Sequence, residues 1–263
     1  MRKTKREADI LAGDLKALND SRKDLTAQAV EEAIAQIEDS VLKEDKVLVV
    51  YLPDCHESLA GIVAGRIRER YYKPAIILTK AEDGLKGSGR SIDAYHMYEA
   101  LNECKHLLTK FGGHKLAAGL SLKETDWREF RTVLNQKATL TEEDLIPKIG
   151  IDMQLPFQYI NEELIQQLGL LEPFGKGNNK PVFVEKDLEI LNSRIFGKNQ
   201  NVLKMQVRDM GGQIMDAVYF GDVQKFLRYY EEKTEHTAAF TYYPSVNEYE
   251  GRKSLQIIVQ NYR

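Results

Sequence analysis

Residues 86–93, KGSGRSID, set two hydroxyls, Ser88 and Ser91, and one guanidinium, Arg90, among glycines. Glycine lets backbone approach a ligand closely, and the planar donor fork of arginine matches phosphate oxygens. The pattern suits an anion site; a surface turn carrying a solvated arginine has the same composition. It is not a P-loop, since the Gly-Lys-Ser/Thr ending is absent. Residues 110–122, KFGGHKLAAGLSL, place His114 behind Gly112 and Gly113, with the small residues Ala117, Ala118 and Gly119 ahead of Leu120. Glycines there permit positive φ and close approach, leaving His114 to project; a structural histidine in a tight turn is the competing reading. Residues 52–66, LPDCHESLAGIVAGR, put His56 where an apolar run meets a helix, the place where ligands gather in α/β sheets. Glu57 and Ser58 open that helix, where free N–H groups can hold an anion. A polar cap accounts for His56 equally well, and packing is the favoured reading of the small face Ala60, Gly61, Ala64 and Gly65.

Other chemistries find no support. The histidines are His56, His96, His106, His114 and His236, no two of them adjacent, and no His–Glu pair or Asp-rich cluster has ligand spacing. No metal site is therefore expected in this chain, and no Ser-His-Asp arrangement is legible. The stretches can hold a phosphate, but nothing among them would cleave one.

At 263 residues, 43% hydrophobic and 29% charged, the composition is that of a globular chain of about two domains. The net charge of −3 gives no global pull toward nucleic acid, so such binding would rest on local basic patches. No run of 18 apolar residues exists, so no membrane span is expected. The basic start MRKTKREADI leads into no apolar core, which argues against a secretory signal. Cys55 and Cys104 make neither a disulfide framework nor a zinc site, and a reducing cytoplasm is the simplest setting.

The elements that must position these residues follow from periodicity. Leu11, Leu15, Leu18, Leu25, Ala29, Ala33 and Ile37 recur at helical steps and predict one long N-terminal helix. It is either a connector to a further domain or a helix packed on its own. KVLVVYLP and KPAIILTK read as buried strands around the helix SLAGIVAGRIRERYY, a right-handed βαβ unit with parallel pairing. A helix over residues 94–108 and another in TDWREFRTVLNQKA complete an α/β domain, with the three polar stretches as loops gathered on one sheet edge. After TLTEEDLIPK the pattern turns β-rich: strands are predicted in KIGIDMQLPF, KPVFVEKDLEILNSRIFG, NVLKMQVRDMGG, QIMDAVYFG, HTAAFTYYPSVN and KSLQIIVQNYR, with one helix, DVQKFLRYYEEK. The order three strands, helix, two strands matches an OB-like β-barrel.

FGGHKLAAG resembles the signature of the DHHA1 domain, and CHESLAGIVAGRI and GSGRSI are similar to its other hallmark stretches. With Leu18-Asn19 and Arg22 in the first helix, and LEPFGKGNNKPVF at residues 171–183, the chain resembles the C-terminal part of RecJ-type single-stranded-DNA-specific 5′→3′ exonucleases of the DHH phosphoesterase superfamily. Ser58 departs from the glycine that many relatives carry. The resemblance implies a connector helix over residues 1–42, a DHHA1 domain over 43–140 with a mostly parallel or mixed sheet, and an OB domain over 146–263. It implies that Ser88 and Arg90 hold the 5′ phosphate of single-stranded DNA, and that His114, with Gly112 and Gly113, faces the scissile phosphate. His56 and Arg66 would line or support that cleft, Arg22 would touch the DNA backbone, and Lys176 with Lys180, Arg194, Phe196, Lys198 and Lys204 would guide the strand. The Mn²⁺ or Mg²⁺ ions would belong to an upstream DHH domain of the same polypeptide, absent here, leaving this chain inactive alone. Two alternatives remain: a non-catalytic nucleic-acid-binding module, and a relative acting on short oligonucleotides.

Overall fold

The computed structural model describes residues 5–234 and 236–263, which divide into two compact units, residues 1–147 and 148–263. The start of the predicted first helix at residue 1 lies outside the described residues.

Helix α1 (Lys5–Glu38) is a single element about 51 Å long at 1.5 Å per residue. Ala29, Ala33 and Ile37 on its last turns are buried against the domain, while Leu11, Leu15, Leu18 and Leu25 stand 43% to 68% exposed. The apolar stripe read from the sequence is therefore covered only at its C-terminal end. A sheet follows from β1 (Leu48–Tyr51), β2 (Ala75–Ala81), β3 (Gly84–Arg90), β4 (Leu108–His114) and β5 (Ala117–Leu122), in the spatial order β1-β2-β3-β5-β4. The predicted βαβ unit is present: α2 (Glu57–Tyr71) joins β1 to β2, which pair in parallel. Every other pairing in this sheet is antiparallel, so it is mixed rather than mostly parallel.

Alternation sorts the side chains into two cores. Leu48, Val50, Ala75 and Ile77 face α1 and α2; Val49, Ile76, Leu78 and Leu85 face α3 (Met97–Glu103) and α4 (Trp127–Lys137). The helix predicted over residues 94–108 is shortened to α3 and a 3₁₀ turn at Lys105–Leu107. Both cysteines are free and buried, and burial pushes both thiols up.

Two stretches read as loops are strands. GSGR lies within β3 and FGGH within β4. A Cβ on Gly87 would sit 2.7 Å from Leu78 Cδ2, and one on Gly89 3.1 Å from Met97 Cε. These glycines exist because the α3–α4 core crowds that side of β3, rather than to loosen a turn.

The second unit contains β6 (Met153–Gln154), α5 (Glu162–Gly169), β7 (Phe183–Phe196), β8 (Val202–Arg208), β9 (Ile214–Phe220), α6 (Val223–Glu231), β10 (Thr237–Tyr249) and β11 (Arg252–Tyr262). The first half of β7 pairs with β10 and its second half with β8. The sheet thus curls through β8, β9, β11 and β10 back to β7, the OB-like strand order with α6 between the third and fourth main strands. Phe226 of α6 plugs the interior, its ring 4.7 Å from that of Tyr262, and Tyr242 donates its hydroxyl hydrogen bond to the Leu155 carbonyl. The strand expected in KIGIDMQLPF is reduced to the two residues of β6, and α5, eight residues long, was not anticipated.

Candidate functional site

In the first unit, α2 covers β2 and β3 on one face and stops there. Beyond it, β5 and β4 present Ala117, Gly119, Ser121, Lys110, Gly112 and His114 on that same face, where small side chains supply nothing for a helix to bury against. Register makes this an ordered shelf of three rows across the strands. Arg90 lies opposite Ala117, and Ala117 opposite His114; Ser88, Gly119 and Gly112 form the next row, and Lys86, Ser121 and Lys110 the third. An open hollow of about 570 Å³ over the shelf is lined by Ser58, Ser88, Gly112, Gly119 and Ser121, among others.

Arg90 is half-buried, and its Nη1 donates to Ser88 Oγ at 3.2 Å and to the Gly89 carbonyl at 2.8 Å. No carboxylate pairs with it among the described residues, whereas Arg131 grips Asp45 through two hydrogen bonds of 2.5 and 3.0 Å. An unpaired, partly desolvated guanidinium with free Nε and Nη2 donors is set up for an anion from outside. Room for it comes from α2: a Cβ on Gly61 would lie 2.8 Å from Arg90 Nη2 and 3.0 Å from Ser88 Oγ. Gly65, one turn on, has nothing within 4 Å of its virtual Cβ. Of the small face, Gly61 serves the site and Gly65 does not.

His114 ends β4, and its exposed ring accepts a hydrogen bond from the Leu116 N–H at Nδ1, 3.3 Å. In the neutral ring this leaves the proton on Nε2, a donor free to point outward. The hairpin tip is fixed from behind, where Ser91 N–H donates to the Leu116 carbonyl and Met97 N–H to that of Lys115, each at 2.9 Å. Gly113, at φ +152, can only be glycine: a Cβ would meet the Ala117 carbonyl at 2.3 Å. Gly112 has open space above it and bares the shelf. Backbones at Arg90 and His114 are two strand spacings apart, about 10 Å.

Other expected residues lie elsewhere. The predicted gathering is on a sheet face, not an edge, and is partial: Ser88 and Gly112 line the hollow over the shelf, Arg90 lines a neighbouring one of about 340 Å³ with Arg68 and Asp93, and His114 shares the face by register without lining either hollow. Ser91 is buried and donates its hydroxyl to the Tyr95 carbonyl at 2.8 Å, so it offers nothing to a ligand. His56 is the N-cap of α2, its Nδ1 accepting from Ser58 N–H at 3.2 Å; one of the helix-end donors expected to meet an anion is thereby occupied. Arg66 shares a separate hollow of about 480 Å³ with Arg22, against α1 on the other side of α2 from Ser88, and pairs with Glu69 at 3.5 Å. Arg22 bonds Asn19 Oδ1 at 3.1 Å.

In the second unit, Arg194 of β7 lies directly opposite Lys204 of β8, and Phe196 opposite Val202, itself opposite Phe220 of β9. Phe196 and Phe220 are exposed, and the Arg194 guanidinium sits 5.0 Å over the Phe196 ring. This outward patch has the makings of a base-stacking platform. Phe220 was missed by sequence reasoning; only the cross-strand register brings it in. Lys198 follows on the β7–β8 loop, Lys176 is exposed on the turn bridged by Gly175 and Asn178, and Lys180 is folded over the Tyr243 ring at 3.7 Å.

A divalent cation does not fit the shelf. Such ions want several oxygen ligands, and the carboxylate lining the hollow, Glu57, is held by Lys86 at 2.6 Å. Among the described residues, no three His, Cys, Asp or Glu side chains come together as a metal group.

An α/β unit with this glycine-cleared arginine and GGH strand, followed by an OB-like unit, defines a DHHA1-domain protein. Residues 44–139 match the family model described as "DHHA1 domain", and residues 151–261 the one described as "RecJ OB domain". The chain is 34% identical to single-stranded-DNA-specific exonuclease RecJ of Bacillus subtilis, covering 97% of this chain and 32% of that protein. It is also 34% identical to the RecJ proteins of Haemophilus influenzae, over 95% of this chain and 44% of the relative, and Escherichia coli, over 97% and 45%. A crystal structure of RecJ from Thermus thermophilus in complex with Mg²⁺ superposes with a TM-score of 0.80 at 24% identity, covering 100% of this chain and 39% of that one. With both domains matched in order, the chain carries the DHHA1 and OB part of the RecJ family, and it spans from about a third to just under half the length of these curated relatives. No helix among the described residues is long and apolar enough to cross a membrane.

Proposed function

We propose that this chain is the substrate-holding part of a single-stranded-DNA-specific 5′→3′ exonuclease. The observation that carries the reading is the half-buried Arg90, without a carboxylate partner among the described residues, joined to Ser88 on a bare glycine-lined shelf. Ser88 and Arg90 hold the 5′-terminal phosphate, which fixes polarity and register. His114 Nε2–H donates to a non-bridging oxygen of the next phosphate as negative charge develops during attack. Gly112 bares the shelf so that the sugar–phosphate backbone lies flat on it. The OB patch of Arg194, Phe196, Lys204 and Phe220 stacks bases and tracks the strand, with Lys176 and Lys198 as outlying charges. Arg22 and Arg66, in their own hollow, act on the backbone away from the reacting end, and His56 shapes the start of α2.

Bond breaking is assigned to a metal-bearing DHH domain elsewhere in the polypeptide, in keeping with a shelf unsuited to divalent cations. The chain alone then binds without cutting, and cytoplasmic DNA processing is its setting.

The reading is tested by binding to single strands that differ only at the 5′ end. A 5′-phosphorylated oligodeoxynucleotide is expected to bind more tightly than its 5′-hydroxyl counterpart by about 10- to 100-fold, the scale of charge-assisted hydrogen bonds. Arg90→Ala should erase that difference while leaving residual binding through the OB unit. Equal affinity for both ends in the unaltered chain would defeat it.

A further inference from the structure

The third row of the shelf, Lys86–Ser121–Lys110, is not used by the function proposed above. It runs parallel to the Arg90–Ala117–His114 row, four residues along the strands, or about 13 Å away. The hollow over Ser88 and Gly112 and a neighbouring one of about 860 Å³ share Lys86, Lys110 and Ser121 in their linings, so the row lies where two hollows meet. The open space over the shelf therefore continues past this row, but the far hollow is also lined by the carboxylates of Asp54, Glu82 and Asp83, so a strand is gripped at the row itself rather than beyond it.

The two lysines differ. Lys86 is tied to Glu57 at 2.6 Å, which holds the Glu57 carboxyl below its usual range and the ammonium above its own, so the pair stays charged across neutral pH. Lys110 is exposed and has no hydrogen bond or ion pair among the described residues, and it stands opposite the Ser121 hydroxyl. The free positive charge of the row is thus that of Lys110.

We propose that Lys110, with Ser121 beside it, forms a second phosphate subsite that holds an internal phosphodiester of the strand on the 3′ side of the scissile bond, and that Glu57 limits its strength by neutralising Lys86. This rests on the reading that Ser88 and Arg90 hold the 5′ phosphate. The row is too far from Arg90 to share that terminal phosphate, and it shares a strand, β4, with His114, so a backbone leaving His114 along the shelf meets it next. The subsite gives no selectivity for the 5′ end; it adds grip with strand length.

The test compares a 5′-phosphorylated dinucleotide with a 5′-phosphorylated hexanucleotide, titrated into the chain over a range of salt. Lys110→Ala is expected to weaken the hexanucleotide roughly three- to tenfold, the size of one net hydrogen bond, and to flatten its salt dependence by about 0.7 in log–log slope. It should leave the dinucleotide unchanged, and Lys110→Arg should restore the loss. Glu57→Gln, which frees Lys86, should tighten the hexanucleotide, a gain that damaged folding does not produce. If Lys110→Ala leaves hexanucleotide affinity and slope untouched while Arg90→Ala still abolishes 5′-phosphate preference, the subsite is wrong and the 5′-end reading stands. If Arg90→Ala also changes nothing, the underlying reading has failed and the subsite with it.

Discussion

Gly61→Ala is expected to blind the protein to the 5′ phosphate without unfolding it. The added methyl would lie 2.8 Å from Arg90 Nη2, closer than real Cβ contacts come, and 3.0 Å from Ser88 Oγ, tighter than most. What must yield is the end of a flexible arginine side chain, which moves at little cost to stability, but it carries the guanidinium off its site. In mid-helix, alanine is intrinsically favoured over glycine by about 0.8–1.0 kcal/mol. Melting temperature should therefore hold or rise slightly, while preference for a 5′-phosphorylated strand falls toward that of Arg90→Ala. Gly65→Ala is the control: on the same helix, its methyl meets nothing within 4 Å, so it should share the stabilisation and keep the preference. Equal behaviour of the two variants in strand binding would show that Gly61 does not position Arg90.

The second large effect is expected at His114. In a polypeptide that joins this chain to a DHH domain, His114→Ala should lower turnover by about 10²–10³-fold, the range for removing one donor to a developing oxyanion, with little change in strand affinity. The bond from Leu116 N–H to Nδ1 assigns the outward donor to Nε2. His114→Gln, which carries an amide donor near the place of Nε2, should recover part of the loss, whereas His114→Asn, whose shorter amide stands nearer Nδ1, should recover little. Single-turnover measurements separate the two quantities. A loss confined to affinity would make His114 a binding residue and remove it from the chemical step.

The elements legible in the sequence are those whose own residues carry the signal. KVLVVYLP and KPAIILTK are continuous apolar runs because β1 and β2 are buried on both faces, and the order of β7 to β11 around α6 is visible from alternation and turn residues. β3 and β4 escaped as strands because Gly87, Gly89 and Gly113 stand where a period of two would place apolar side chains. At Gly87 and Gly89 the apolar mass comes from neighbours, Leu78, Leu120 and Met97, and at Gly113 Ala117 and Ala118 occupy the place of a side chain, so the strands' own pattern is empty. Ser88, Arg90 and His114 were nameable from type and from the resemblance. Their common face was not, since it depends on β5 lying between β3 and β4, an order that no local spacing encodes. Lys110 and Phe220 were passed over for the same reason: each is ordinary in sequence and distinctive only by what stands across the strand from it. Ser91 shows the converse, a plausible donor whose hydroxyl the fold had already engaged.

The alternating string from Gly87 to Arg90 has a consequence for anyone mapping tolerance in this region. All four positions would score as intolerant in a screen read by the proposed strand-end binding, and the uniformity would look like one continuous ligand-binding motif. Two distinct failures would be merged in that signal. Side chains added at Gly87 or Gly89 collide with Leu78 or Met97 and are expected to prevent the layer from assembling, whereas changes at Ser88 or Arg90 are expected to leave assembly intact and remove the proposed recognition of the strand end. Abundance scored beside function would split the string into two interleaved alphabets, one written for the interior and one for the ligand.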